Sequence, residues 1–245
     1  MYNVYVDSKN LLIHSQLSPD PNIHLTNPVL KLQENSAGSF TFNVAPGHAG
    51  YDELELITST VAVEKEGRII WTGRPIKKSE NFYGIRSITC EGALAFLNDT
   101  YQPNVSYTST NNRTLFRNII AEHNKKVGDN RQFSVGAITV VDTDESYEYE
   151  TDYEKTWDAI KENFLERLEG HLLITYPTNG SWKPILNYYA EYPNLSAQTV
   201  DFGKNLMDFT KNWDLTNLCT VVIPKGEMKV QTESNTGSSS YSSGN

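Results

Sequence analysis

This sequence predicts an α+β fold that is mainly β: small barrel-like β domains carrying an α+β insert. Three observations predict it. Apolar and polar residues alternate with period two through much of the first hundred residues. Two segments with helical periodicity interrupt that pattern in the middle of the chain. Short β-like runs separated by turn residues then return.

Tyr2, Val4 and Val6 alternate with polar neighbours, as do Phe40, Phe42 and Val44, and then Val61 and Val63. Each reads as a half-buried strand. Val61 to Trp71 reads as a hairpin turning at Lys65 to Gly67, and Asn81-Phe82-Tyr83-Gly84 as a second turn leading into a strand through Ile88 to Cys90. Turn signals every 8–12 residues are the mark of a small barrel or sandwich. His48 to Ile57 and Gly92 to Asn98 are expected to form short helices between strands.

A longer helix is expected over Thr110 to Gly128. Asn111 or Asn112 caps it, Leu115, Phe116, Ile119, Ile120 and His123 share a face, and Gly128 stops it. A short β segment follows around Phe133 to Val141. The run from Asp142 to Glu154 then holds seven carboxylates and no Lys or Arg. A second helix is expected from Tyr153 to Glu169. Thr151 to Glu154 has capping-box spacing, Trp157, Ile160, Phe164 and Leu168 line one face, and Gly170 ends it. Leu172 to Tyr176 and Ile185 to Tyr189 read as strands joined by a loop at Pro177 to Gly180. Strands are expected again at Thr199 to Phe202 and Thr220 to Ile223. From Thr232 the composition collapses to Ser, Gly, Thr and Asn, which offers no apolar surface to bury.

Composition excludes several function classes. The 245 residues are 38% hydrophobic and 21% charged, ordinary for a globular chain, with no apolar run of membrane-spanning length. The N-terminal residues do not read as a secretory leader. A net charge of −9 argues against a protein that grips phosphate backbones or anionic membranes. Cys90 and Cys219 are too far apart in the sequence and too few for a disulfide framework or a zinc site, and read as small buried residues.

No catalytic signature stands out. Asp142-x-Asp144-x-Ser146 has the opening spacing of a calcium loop, but Tyr147 stands where that loop needs Gly and Tyr153 where it needs Glu. The acidic run therefore reads as solvated. His14, His24, His48, His123 and His171 include no zinc-protease spacing, and His123 and His171 read as packing or capping residues. No nucleophile elbow and no phosphate-binding loop occurs. No catalytic residue, metal ligand or cofactor-binding residue is assigned. Trp71 and Trp157 belong to a strand and a helix face, hence to the core. Tyr188, Tyr189 and Tyr192 are the candidates for an exposed aromatic surface that meets a sugar or a protein.

Six blocks in order carry a family resemblance: Leu25 to Phe42; Thr89-Cys90-Glu91-Gly92-Ala93-Leu94-Ala95-Phe96-Leu97-Asn98-Asp99; Glu122-His123-Asn124; Lys155-Thr156-Trp157-Asp158-Ala159-Ile160; Asp201-Phe202-Gly203-Lys204-Asn205-Leu206; and Thr220-Val221-Val222-Ile223-Pro224-Lys225-Gly226. The sequence resembles the phage tail hub family, also called the phage minor structural protein N-terminal region or prophage tail endopeptidase family. The resemblance covers residues 1 to 226 and implies the baseplate-hub fold of Mu-type tails. On that basis residues 1–100 are expected to form a barrel-like tube domain and residues 101–195 an α+β insert with two amphipathic helices. Residues 196–231 would complete a second barrel-like domain, and residues 232–245 would be a disordered tail.

The resemblance further implies a homotrimeric ring, with threefold interfaces of about 1,600 Å² or more. The ring would sit below the distal tail protein and near the tape-measure protein, at the virion tail tip that meets the host cell surface, after assembly in the host cytoplasm. DNA would pass without specific binding, along an acidic or neutral lumen that the Asp142 to Glu154 run either lines or lies outside. The family offers no catalytic residue to carry over. Any lytic activity would belong to the larger C-terminal region that follows these blocks in other members.

Overall fold

The computed structural model of the chain describes residues 1–7, 11–108, 110–144, 148–193, 199, 201–205 and 208–211. Two compact units divide it, Met1–Leu195 and Ser196–Asn245. The first is mainly β and holds two separate buried cores.

One core is enclosed by a curled half-barrel sheet of seven strands. In chain order these are β1 (Tyr2–Val6), β2 (Leu11–Ser15), β3 (Thr26–Lys31), β4 (Ser39–Val44), β5 (Val61–Lys65), β6 (Arg68–Glu80) and β7 (Arg86–Gly92). Their spatial order is β2-β1-β5-β6-β7-β4-β3, so β2 and β3 are the edges. The alternation in the sequence sets what points inward: β4 buries Phe40, Phe42 and Val44 and turns Ser39, Thr41 and Asn43 away. With Val4, Val6, Val63, Trp71, Ile88 and Cys90 they form the sheet's core. Burial holds the Cys90 thiol protonated. The β5–β6 turn is made where expected, with Glu66 at φ 52° and Gly67 at φ 79°, the left-handed pair of a tight hairpin.

His48 to Ile57 is not a helix. Its backbone groups are spent elsewhere: His48 N–H on the Ala45 carbonyl, Ala49 N–H on Asn22, Tyr51 N–H on His48 and Ile57 N–H on Pro75. The stretch is a series of turns. The helix expected after Gly92 is present as a 3₁₀ segment, Ala93–Asp99, whose apolar residues open the second core.

That core gathers Leu94, Phe96 and Leu97 with two helical segments and a three-stranded sheet. A short strand β8 (Val105–Tyr107) precedes α1 (Asn112–Lys126), and β9 (Ser134–Ile138) and β10 (Tyr149–Thr151) precede α2 (Thr156–Ile160). The Asn111 side chain accepts the Thr114 N–H at 2.9 Å and caps α1. Leu115, Phe116, Ile119, Ile120 and His123 are all buried on one face. Gly128 does not stop α1 as a left-handed cap. Val127 is already extended at φ −122°, ψ 156°, and Gly128 has φ −68°. The Asn124 side chain instead bonds both backbone groups of Phe133 and anchors the returning chain.

The second helix differs most from expectation. Thr151 is the end of β10, with its hydroxyl on the Pro103 carbonyl at 2.6 Å, and Tyr153 has φ 57°. No capping box forms. The helix starts at Thr156, whose N–H is taken by the Thr100 carbonyl, and after Ile160 it widens into a π-helical segment, Lys161–Glu166. The Asn163 amide donates to the Ala159 carbonyl at 3.0 Å, the acceptor that an α-turn reserves for the Asn163 N–H. Ile160 and Phe164 still face inward. β11 (His171–Thr175) and β12 (Ile185–Tyr189) pair antiparallel, and β12 pairs parallel to β9.

In the second unit Asp201 and Asn205 close a turn, the Asp201 N–H donating to the Asn205 side chain at 2.8 Å. The strand expected over Thr199 to Phe202 is described only at Thr199, Asp201 and Phe202. The strand at Thr220 to Ile223, Cys219 and the tail from Thr232 lie outside the described residues.

Gly73 and Gly92 face each other across β6 and β7. A Cβ on Gly92 would lie 1.9 Å from the Ala37 carbonyl oxygen and 2.8 Å from the Trp71 indole nitrogen. The β3–β4 turn crosses the sheet only because that side chain is missing. Gly92→Ala is therefore expected to destabilise the fold by about 3 kcal/mol, read as a lowered urea midpoint with an unchanged slope.

Candidate functional site

The seam between the two cores is densely hydrogen-bonded. Asn35, in the β3–β4 turn at φ 48°, donates to the Gly170 carbonyl at 3.2 Å and accepts the Leu172 N–H at 2.7 Å. Glu34 pairs with His171, and the His171 ring stacks on Tyr192 with centroids 4.3 Å apart. The Tyr176 hydroxyl accepts the Thr72 N–H at 2.8 Å. Burial pushes the Tyr176 phenol up to about 12, so it stays an intact hydrogen-bonding group. Arg74 donates to Glu91 and Asp99 and lies over the Phe96 ring, and Asp99 also meets Arg131.

Behind the seam runs a one-way chain of buried hydroxyls. The His123 Nε2 faces the Arg131 carbonyl at 3.2 Å and so carries the hydrogen, leaving Nδ1 to accept from Thr100 at 2.7 Å. Thr100 then accepts from Thr156, which accepts from the Gln102 amide, each at 2.7 Å. Burial lowers the His123 pKa. His123 is thus the packing residue the sequence suggested.

Of Tyr188, Tyr189 and Tyr192, the structure removes Tyr188 from an exposed aromatic surface. Tyr188 is fully buried, stacked on Phe116 at 5.7 Å and edge-on to Phe164, with its hydroxyl on the Phe164 and Glu169 carbonyls. The reason is topological: β12 is the middle strand of its sheet, and one face of that strand meets α1 and the π-helical segment. Tyr189 is half-buried, and Tyr192 is exposed, its ring stacked on His171.

The acidic run divides. Asp142 is not solvated; its carboxylate pairs with Arg167 and takes the Tyr149 hydroxyl at 2.5 Å. Asp144, Glu148, Glu150 and Asp152 are exposed. Among the described residues no group of His, Cys, Asp and Glu is placed to hold a metal.

Two exposed apolar features are the candidate contact surfaces. The gap between the edge strands opens on a mouth of 390 Å³ lined by Val4, His14, Leu30, Leu32, Phe40 and Val63. At the tip of the β6–β7 hairpin, Phe82 and Tyr83 are 96% and 78% exposed. Their turn is rigid: the Asn81 side chain accepts the N–H groups of Tyr83 and Ile85, each at 3.0 Å, and Gly84 takes φ 76°. The sequence reading treats 81–84 only as a turn. Two aromatics at the centre of a turn, where polar residues are usual, are the signal that marks them.

The chain is similar to phage tail proteins. Prophage tail protein gp18 of Listeria monocytogenes matches over 82% of this chain and 56% of its own, at 16% identity and TM-score 0.47. A tail protein of Neisseria meningitidis matches over 80% and 53%, at 16% and 0.44. The 43 kDa tail protein of prophage MuSo2 from Shewanella oneidensis matches over 77% and 55%, at 14% and 0.48. This chain spans about half the length of those proteins. No protein-family model and no curated protein matches it.

Thr156→Val removes one link of the buried chain while keeping its shape. It leaves the Gln102 amide and the Thr100 hydroxyl short of a partner and is expected to cost about 2 kcal/mol, measured by chemical unfolding. The double substitution Phe82→Ala, Tyr83→Ala is expected to change stability by less than about 0.5 kcal/mol, because both rings are outside the core. A larger loss in the same measurement would assign them a structural role.

Proposed function

We propose that the chain is a structural subunit of a bacteriophage or prophage tail, a tail hub that forms a homotrimeric ring below the distal tail protein and closes or extends the tube for DNA passage. The six ordered sequence blocks carry this reading, and where the first four fall in the structure supports it. Leu25 to Phe42 spans β3, the Asn35 turn and part of β4, which is the element that docks on β11. Thr89 to Asp99 runs from β7 through Gly92 to the Arg74 partner Asp99. Glu122-His123-Asn124 is the end of α1 that anchors the returning chain, and Lys155 to Ile160 is the start of α2. These four blocks thus include joints of this fold, and Leu30, Leu32 and Phe40 of the first also line the apolar mouth.

A subunit of this kind works by holding shape. The half-barrel would build the ring wall, and the net charge of −9 suits a passage to which DNA phosphates do not adhere. The distal tail protein above and the tape-measure protein within are the partners this position requires, with the host cell surface beyond the tip. The glycan-binding alternative loses Tyr188, which is buried.

Light scattering over a range of concentrations tests the assembly. A mass three times 27.7 kDa, or a stable complex with the distal tail protein of the same phage, is expected. A monomer at every concentration that also fails to bind the distal tail protein contradicts the proposal.

A further inference from the structure

Three histidines from separate segments meet at the open side of the half-barrel. His14 lies on edge strand β2, His24 two residues before β3, and His48 in the turn after β4. The His14 and His24 rings stand edge to face with centroids 5.9 Å apart. The His14 Nδ1 accepts the Leu25 N–H at 3.2 Å. The His48 Nδ1 accepts the Gly50 N–H at 3.0 Å. The His24 Nε2 meets the Ser18 carbonyl at 2.8 Å. A backbone N–H can only donate, so both accepting Nδ1 atoms carry no hydrogen and neither ring can take a second proton without losing its bond.

The bonds lie where the edge is held. Leu25 is buried at the entry to β3, and a Cβ on Gly50 would be 2.7 Å from the Ile13 side chain on β2. His14 therefore ties β2 to the segment that enters β3, and His48 closes the turn after β4, which packs on Ile13 of β2 at Gly50. These are also the edges that bound the apolar mouth.

The ionisable groups acting on these rings are the rings themselves: His24 on His14, and both on His48. Neighbouring charges are committed elsewhere. The Asp20 carboxylate takes the Asn22 N–H at 2.8 Å, Glu80 and Asp52 hold Arg86, and Lys65 lies over the Tyr2 ring. Burial first, then mutual repulsion, lowers His14 and His48 below the ordinary imidazole range, and the Ile13 carbonyl beside His48 offsets only part of this. The folded state thus binds fewer protons than the unfolded chain. Its stabilisation is present above the free imidazole value of about 6.5 and is lost as pH falls below it.

We propose that His14 and His48 form an acid-released latch: neutral, His14 holds β2 against the entry to β3 and His48 holds the turn after β4 closed, and protonation frees those segments and opens the apolar mouth. The latch does not depend on the tail assignment.

Hydrogen exchange of the full chain at pH 8 and pH 5, corrected for intrinsic exchange, reads it directly. The Leu25 and Gly50 amides are expected to lose at least tenfold protection at pH 5. In His14→Asn, His48→Asn, the Asn oxygen keeps an acceptor near Nδ1 that cannot be protonated, and the loss is expected to disappear. His123 is present in both proteins, so its own titration does not distinguish them. Equal protection at the two pH values in the unsubstituted chain, or an equal loss in the variant, would overturn the latch. If the variant does not fold, imidazole titration of the unsubstituted chain by NMR decides: His14 and His48 midpoints below the free value support it, and midpoints at or above that value overturn it.

Discussion

Arg74 is the constraint on which the two cores of the first unit depend. It sits on β6, almost wholly buried, and its guanidinium reaches Glu91 on β7 and Asp99 at the end of the following 3₁₀ segment. A charge in that position is tolerable only while both carboxylates stay in place, because an unpaired buried cation is strongly destabilising. Asp99 in turn holds Arg131, whose second nitrogen donates to the Ile57 carbonyl at 2.9 Å. One ion network therefore fixes β6, β7, the start of the helical core and two turns relative to each other.

Around that network each level follows from the one below. Period-two alternation gives the curled sheet one apolar face. The Gly73–Gly92 pair lets the β3–β4 turn cross close over Trp71, and that turn carries Asn35 to β11. The helical core packs Phe116, Phe164 and Tyr188 ring on ring, and the Gln102–Thr156–Thr100–His123 chain fixes the two helices against the 3₁₀ segment. Polar groups that look chemically interesting in isolation are thereby consumed by structure.

Local pattern made most of the fold legible. The strands at Tyr2, Phe40 and Val61, the Asn111 cap and the inward face of α1 all follow from periodicity and capping chemistry within a few residues. The misreadings share a cause: distant residues overrode local signals. Thr151 has capping-box spacing, but its hydroxyl goes to Pro103 and its backbone to β8. His48 to Ile57 has a helical composition, but Asn22 and Pro75 take its backbone groups. Tyr188 looks exposed in a polar stretch, yet parallel pairing with β9 makes its strand central. The candidate contact surfaces were hardest to foresee, because Phe82 and Tyr83 are visible as exposed only once their turn is built, and the three histidines are far apart until the sheet curls.

Cryo-electron microscopy of intact tail particles tests the proposed tail-tip position. Three copies of the half-barrel unit are expected around the tail axis at the tip, directly below the distal tail protein. Particles that lack the chain, or that carry it along the shaft of the tube instead of at the tip, would contradict it.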